Sequence, residues 1–190
     1  VTGLRPTYGR VSRAGAMALS WTMDKIGPIC RSAKGCAMVF ENIHGADHID
    51  RSVKDYPFNY SDSQELKKLR IGYAKSLFDA DYHGKKNDSL TLVQLRSMGF
   101  DLAHVLDASL GFILDVEAAA AFDRLTRSGR DEELTRQVKN AWPNVFRAAR
   151  MIPAVEYMKA NRLRTLLMDT VNRLFREYDA IVTPSFGGNQ

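Results

Sequence analysis

Cysteine is scarce in this sequence: Cys30 and Cys36 are the only two among 190 residues. That count excludes a disulfide-built scaffold. No second Cys or His pair stands at ligand spacing around them, which excludes a zinc ribbon or finger, and both are expected to be buried free thiols. No apolar run reaches the ~20 residues that cross a bilayer as a helix. An excess of one charge is lacking as well. Lys and Arg number 27 against 22 Asp and Glu, a net charge of +5. Apart from Lys67-Lys68 and Lys85-Lys86, the bases are interspersed with acids. The concentrated stripe of a nucleic-acid binder is therefore absent. Trp21 and Trp142 stand alone, without the basic and aromatic interleaving of a single-strand binder. There is no Gly-rich phosphate loop, no dinucleotide fingerprint and no Gly-x-Ser-x-Gly nucleophile elbow.

What is present suits a soluble α/β domain, with 45% hydrophobic and 26% charged residues. Residues 1–31 are rich in Gly and Pro and predict short strands and ordered loops. Ser32 can cap a helix running to Ile43, which Gly45 ends. Residues 44–68 read as a polar connection, and 69–73 as a short strand. Asn87 or Asp88 can cap a helix closed by Gly99, and residues 114–127 read as helical. From about Ile152 to Tyr178, Val155, Met158, Leu163, Leu166, Leu167, Thr170, Leu174 and Tyr178 recur at spacings of mostly three and four. They draw one apolar stripe, and Asp169, Arg173 and Glu177 can pair on the outer face. Pro153 fits that helix's first turn. Residues 180–184 read as a strand halted by Pro184.

Few residues invite chemistry. His44, Asp47, His48 and Asp50 crowd seven positions and could ligate a metal, but a helix ending near Gly45 separates the histidines, and Asp47 and Asp50 also suit turns. Ser12, Ser20 and Ser32 have no base in a recognised arrangement beside them, and an unactivated serine is a poor nucleophile.

The opening stretch resembles the amidase-signature family. Gly3-Leu4-Arg5-Pro6-Thr7 and Gly9-Arg10-Val11-Ser12-Arg13 are similar to its Gly-Leu-Lys-Pro-Thr and Gly-Arg-Val-Ser-Arg segments. Ser20-Trp21-Thr22-Met23-Asp24-Lys25-Ile26-Gly27-Pro28-Ile29-Cys30-Arg31 resembles its Ser-x-Asp-x-x-Gly-Pro-x-x-Arg run, with one extra position after Ser20. Gly45-Ala46-Asp47-His48-Ile49-Asp50 is similar to the family's Gly-x-Asp-x-x-Asp, a non-metal reading of that cluster. Glu156 to Arg164 and Tyr178 to Pro184 resemble its Tyr-x-x-Ala-x-x-x-Arg helix and Tyr-Asp-x-x-x-x-Pro strand. Between about 75 and 150 the likeness is weak. Gly35 stands where the family usually carries an acid.

The resemblance implies part of the amidase-signature fold, a mixed central sheet covered by helices on both faces. It implies amide hydrolysis through an acyl-enzyme by a Ser–cis-Ser–Lys triad that lies upstream of Val1. No catalytic or metal residue is assigned within this chain, and no cofactor is expected. The chain is read as an internal piece of a longer, cytoplasmic protein, inactive by itself. Residues around 110–115 and 142–157 are the expected pocket wall, with Tyr157 and Arg150 as its substrate-binding candidates. Their plain alternatives are core packing for Tyr157 and a surface pair for Arg150. The expected partner is a small-molecule amide, with no direct nucleic acid and no membrane segment; a homodimer stays open. A related protein, the A chain of the glutamine-dependent tRNA amidotransferase, carries an Arg-Arg segment that holds glutamine. Here Asn140-Ala141-Trp142-Pro143-Asn144-Val145-Phe146-Arg147 stands instead. A general amidase is therefore favoured over the tRNA-linked enzyme and over a non-catalytic interaction module on the same fold.

Overall fold

The computed structural model describes residues 1–61, 68–80, 85–100, 102–104 and 111–184. These fall into two compact units. The first comprises Val1–Asp62 and Gly111–Tyr157, the second Ser63–Leu110 and Met158–Gln190.

In the first unit, β1 (Thr2–Gly3) pairs antiparallel with β2 (Ile29–Cys30), with Thr2 opposite Cys30 and Gly3 opposite Ile29. Proline and glycine density keeps both strands short. The pairing also demands a bare Cα at Gly27: a Cβ there would lie 2.0 Å from the Leu4 carbonyl oxygen. α1 (Ala33–Ile43) begins where expected, with the Ser32 hydroxyl accepting from the Gly35 N–H at 3.1 Å. It buries Cys36, Ala37 and Phe40, and Phe40 meets Phe58 edge-on at 4.8 Å. Gly45 follows at φ 103° and donates to the Arg10 carbonyl.

The helix read at 114–127 is two helices, α2 (Phe112–Ala121) and α3 (Asp123–Arg127), broken at Phe122. That ring turns inward and stacks on Phe146 at 4.9 Å. A 3₁₀ turn, Arg130–Glu133, leads to α4 (Trp142–Ala149), with Pro143 in its first turn where the missing N–H is harmless. Trp142 stacks on Phe146 in turn, so these rings lock α4 against the end of α2.

In the second unit the strands are parallel. β3 (Ile71–Tyr73) lies between β4 (Leu102–His104) and β5 (Ala180–Val182). The α/β class holds, with the strands shared between an antiparallel pair and a parallel trio among the described residues. Arg70 and Asp179 pin the entry to β3 and β5. The Asp179 carboxylate accepts from the Arg70 backbone N–H at 2.8 Å and from its guanidinium at 2.9 and 3.2 Å. α5 (Lys75–Asp79) buries Phe78, and α6 (Lys85–Ser97) buries Leu92. α6 thus starts before the caps expected at Asn87 or Asp88.

The long helix α7 (Ala154–Glu177) has its first turn in the first unit and the rest in the second. Pro153 precedes it and its carbonyl accepts from Glu156, so proline caps the helix and does not enter it. The expected stripe needs correction. Val155, Met158, Leu163 and Leu166 are 54–63% exposed, whereas Ala160 is buried and Leu167, Leu174 and Tyr178 are half-buried. The covered face centres on Ala160, Arg164 and Leu167, one flank of the predicted stripe. Arg173 donates to Thr170 at 3.2 Å, and the expected pairing with Asp169 or Glu177 is not among the ion pairs of the described residues.

Candidate functional site

The residues of the first unit converge on one segment, Leu19 to Asp24. Asp24 folds back to accept from the N–H groups of Leu19 and Ser20 at 2.8 and 3.0 Å. The carboxylate thereby closes the loop on N–H groups four and five residues before it. Two further carboxylates, reached through the fold, complete the anchoring.

The first is Glu117, in the middle of α2. Although 7% exposed, it accepts four hydrogen bonds. Its Oε2 takes Ser20 Oγ at 2.6 Å and the Thr22 N–H at 3.0 Å; its Oε1 takes Thr22 Oγ1 at 2.6 Å and the Tyr157 hydroxyl at 2.7 Å. Burial pushes this carboxyl up, and hydrogen bonds from Ser20, Thr22 and Tyr157 outweigh it, leaving the group below the usual glutamate range. A buried carboxylate is tolerated because every donor around it is aimed at the charge.

The second anchor is Arg13, bound to Asp50. Arg13 Nε lies 3.0 Å from Asp50 Oδ2, and both side chains are 11% exposed. The same guanidinium donates to the Trp21 carbonyl at 2.6 Å, to Ser52 Oγ at 3.0 Å and to the Tyr8 hydroxyl at 3.0 Å. It lies over the rings of Tyr8 at 4.7 Å and Trp21 at 5.4 Å. Asp50 accepts from Arg13 and from the Ser52 hydroxyl at 2.6 Å, and these bonds hold it far below the usual carboxylate range. Asp47 accepts from Ser12 at 2.5 Å and from the N–H groups of Ile49 and Asp50, which lowers it too. The aspartates of the His/Asp cluster are thus spent on protein groups, and His44 packs against Phe40 and Phe58.

This scaffold borders a cleft of about 810 Å³. Met17, Trp21, Ile26 and Ile49 give it apolar walls, and Lys25 and Arg51 bring positive charge. Lys25 Nζ donates to the Met23 carbonyl at 2.9 Å; burial first, then the charge of Arg5, push its amine down. A second hollow, about 610 Å³, is bordered by Asp115 of α2, Lys139 and Asn140, and by Asn144, Ala148 and Ile152. Asp115, Asn144, Ala148 and Ile152 fall in the ranges read as a pocket wall, 110–115 and 142–157, whereas Lys139 and Asn140 lie outside them, and Leu110 is outside the described residues. Burial pushes the Asp115 carboxyl up.

Of the two site candidates, Tyr157 is tied to Glu117, and Arg150 donates to Asp123 at 2.5 Å, both side chains of that pair about a third exposed. Neither candidate borders the hollow; each holds a helix that does or packs beside one. The serines singled out are likewise committed: Ser12 to Asp47, Ser20 to Glu117, Ser32 to its helix cap. Glu117 was not singled out for a role from the sequence. The signal was available: an acid four residues after Ile113, on the apolar side of an alanine-rich helix.

The amidase family model matches residues 1–189. Among curated relatives, a glutamyl-tRNA(Gln) amidotransferase A chain of Clostridium acetobutylicum is 29% identical, and its counterpart in Staphylococcus haemolyticus is 26% identical; each match covers 97% of this chain and 44% of the relative. The chain thus spans less than half the length of these relatives. Among solved structures, a protein from a vestigial complex tied to the evolutionary origins of an s-triazine catabolic enzyme superposes with a TM-score of 0.77 at 26% identity, covering 93% of this chain and 39% of that one. The glutamyl-tRNA(Gln) amidotransferase A chain of Thermotoga maritima superposes with a TM-score of 0.74 at 24% identity, covering 96% and 42%. With the family match running almost end to end and the fold following it, this chain belongs to the amidase family.

Proposed function

We propose that the chain forms the substrate-side framework of an enzyme that hydrolyses small carboxylic amides through an acyl-enzyme. In this reading the Ser–cis-Ser–Lys groups come from a part of the polypeptide preceding these residues. The observation that carries it is the state of the serines within a chain-long family match. Ser12 and Ser20 donate to Asp47 and Glu117, carboxylates that their other donors hold below the usual range and so make weak proton acceptors; Ser32 accepts from a backbone N–H; and none bonds to a Lys or His among the described residues. A nucleophile needs a base within hydrogen-bond reach, so these hydroxyls act as struts. The hollow beside Asp115 and Asn144 supplies wall and polar contacts for the amide. Tyr157 and Arg150 serve that wall by fixing the first turn of α7 on Glu117 and the end of α4 on Asp123.

Ammonia release from simple carboxylic amides tests the reading. A longer polypeptide containing this chain is expected to turn over, and to pass its acyl group to hydroxylamine. The 190-residue chain alone is expected to release none. Turnover by the chain alone would overturn the assignment of the nucleophile. The relatives named above favour one second reading, a glutamine-hydrolysing component of an amidotransferase. Such a component would release ammonia from glutamine only with its partner chains present, whereas autonomous hydrolysis of simple amides sinks it.

A further inference from the structure

The two cysteines lie outside the network described above, yet the fold brings them to one place. Cys30 ends β2 and Cys36 sits in the first turns of α1. Thr2 is the strand partner of Cys30, and the Cys36 thiol lies 3.2 Å from the Thr2 carbonyl oxygen and 3.7 Å from that of Pro28. The Cys36 sulfur therefore meets the strand pair next to the position of Cys30. Cys36 is buried and Cys30 half-buried, and both are free thiols. Burial, then interaction with the neighbouring Cys36, raise the Cys30 thiol.

Gly35 completes the arrangement. A Cβ at this position would stand 3.2 Å from Cys30 Cβ and 3.9 Å from its sulfur. A side chain at this position would therefore press on Cys30.

We propose that Cys30 and Cys36 form a reversible dithiol–disulfide couple that, when oxidised, clamps the β2 edge to the start of α1. The oxidant is a low-molecular-weight disulfide. The Cys30 thiolate, on the more accessible side, attacks one sulfur of that disulfide and expels a small thiol. The Cys36 thiolate then attacks the Cys30 sulfur and expels the second small thiol. Two electrons pass from the protein sulfurs to the small disulfide, and the two protein protons end on the two small thiols. Attack requires the thiolate. With Cys30 raised by burial, exchange is slow near neutrality and accelerates roughly tenfold per pH unit until that thiol is ionised.

The experiment is incubation of the folded chain with oxidised glutathione, followed by alkylation and mass mapping. The expected product has both thiols lost together, an intramolecular link between the peptides bearing Cys30 and Cys36, no retained glutathione, and full recovery on treatment with dithiothreitol. Cys36→Ser should trap a stable glutathione adduct on Cys30, because the resolving sulfur is gone. Cys30→Ser should leave Cys36 unmodified under native conditions. A wild-type chain that accumulates a Cys30–glutathione adduct while Cys36 stays alkylatable would overturn the proposal, as would a disulfide between chains. The wild-type product alone decides if Cys36→Ser unsettles the packing of α1.

Discussion

Removing one hydroxyl tests whether Glu117 ties the Leu19–Asp24 segment to α2 and the first turn of α7. Tyr157→Phe keeps the ring and deletes only the donor that lies 2.7 Å from Glu117 Oε1. A hydrogen bond to a charged group contributes about 1.5–3 kcal/mol, and this substitution should destabilise the first unit by that amount. Glu117→Gln is more severe. The new amide nitrogen must face donors whichever way it turns, and the Thr22 N–H cannot reverse its role as a hydroxyl can. The nitrogen therefore turns toward Thr22 Oγ1 and Tyr157, and the loss should be about 2–4 kcal/mol. Once Glu117→Gln is in place, the tyrosine hydroxyl has lost its charged acceptor, so adding Tyr157→Phe should cost under about 1 kcal/mol. The two changes are thereby coupled on the scale of about 0.5–3 kcal/mol for contacting residues. Urea unfolding followed by tryptophan fluorescence is the assay, because Trp21 and Trp142 both lie in the first unit. Additive effects, or a Tyr157→Phe change within about 0.5 kcal/mol, would refute the account of the carboxylate.

Gly27→Ala should prevent the β1–β2 pairing, since its Cβ would press on the Leu4 carbonyl at 2.0 Å, with a loss above about 3 kcal/mol in the same unfolding assay. Gly9→Ala should also be damaging, combining φ 77° with a Cβ 2.6 Å from the Ser52 carbonyl oxygen; unchanged stability in either variant would contradict the packing. Acid should loosen the parallel sheet. Asp179 is held down to about 2 by Arg70 from an ordinary 3.8, so its contribution is complete above about pH 4 and is lost as pH falls through about 2. Amide exchange at β3 and β5 reads that loss, and Asp179→Asn should abolish its pH dependence. Glu117 follows the same sign, with its stabilisation present above the ordinary glutamate range and lost on acidification below it.

Much of the local structure was legible because local chemistry controls it. Ser32 capping α1, Gly45 following it, and the short strands at 71–73 and 180–182 follow from capping, turn and β-propensity rules that need no distant partner. The break at Phe122 was not legible, because ring stacking with Phe146, far along the chain, decides it. The α7 stripe shows the same limit. Periodicity marks apolar residues on both flanks of the helix, and only the partner surface selects Ala160 and Leu167 over Leu163 and Leu166.

The sequence by itself determined the family, because the motifs from Gly3 to Arg31 and from Tyr178 to Pro184 are contiguous and can be read in one dimension. Those opening residues also bounded the functional role, since no serine among them has a base beside it in sequence. Only the tertiary structure decided what these motif residues do. It brings Glu117 to Ser20 and Thr22 across more than ninety positions, Asp50 to Arg13, and Cys36 to the carbonyl of Thr2. Hydrogen bonds and ion pairs act over about 3 Å in space, and separation along the chain carries no information about which groups the fold will set at that distance.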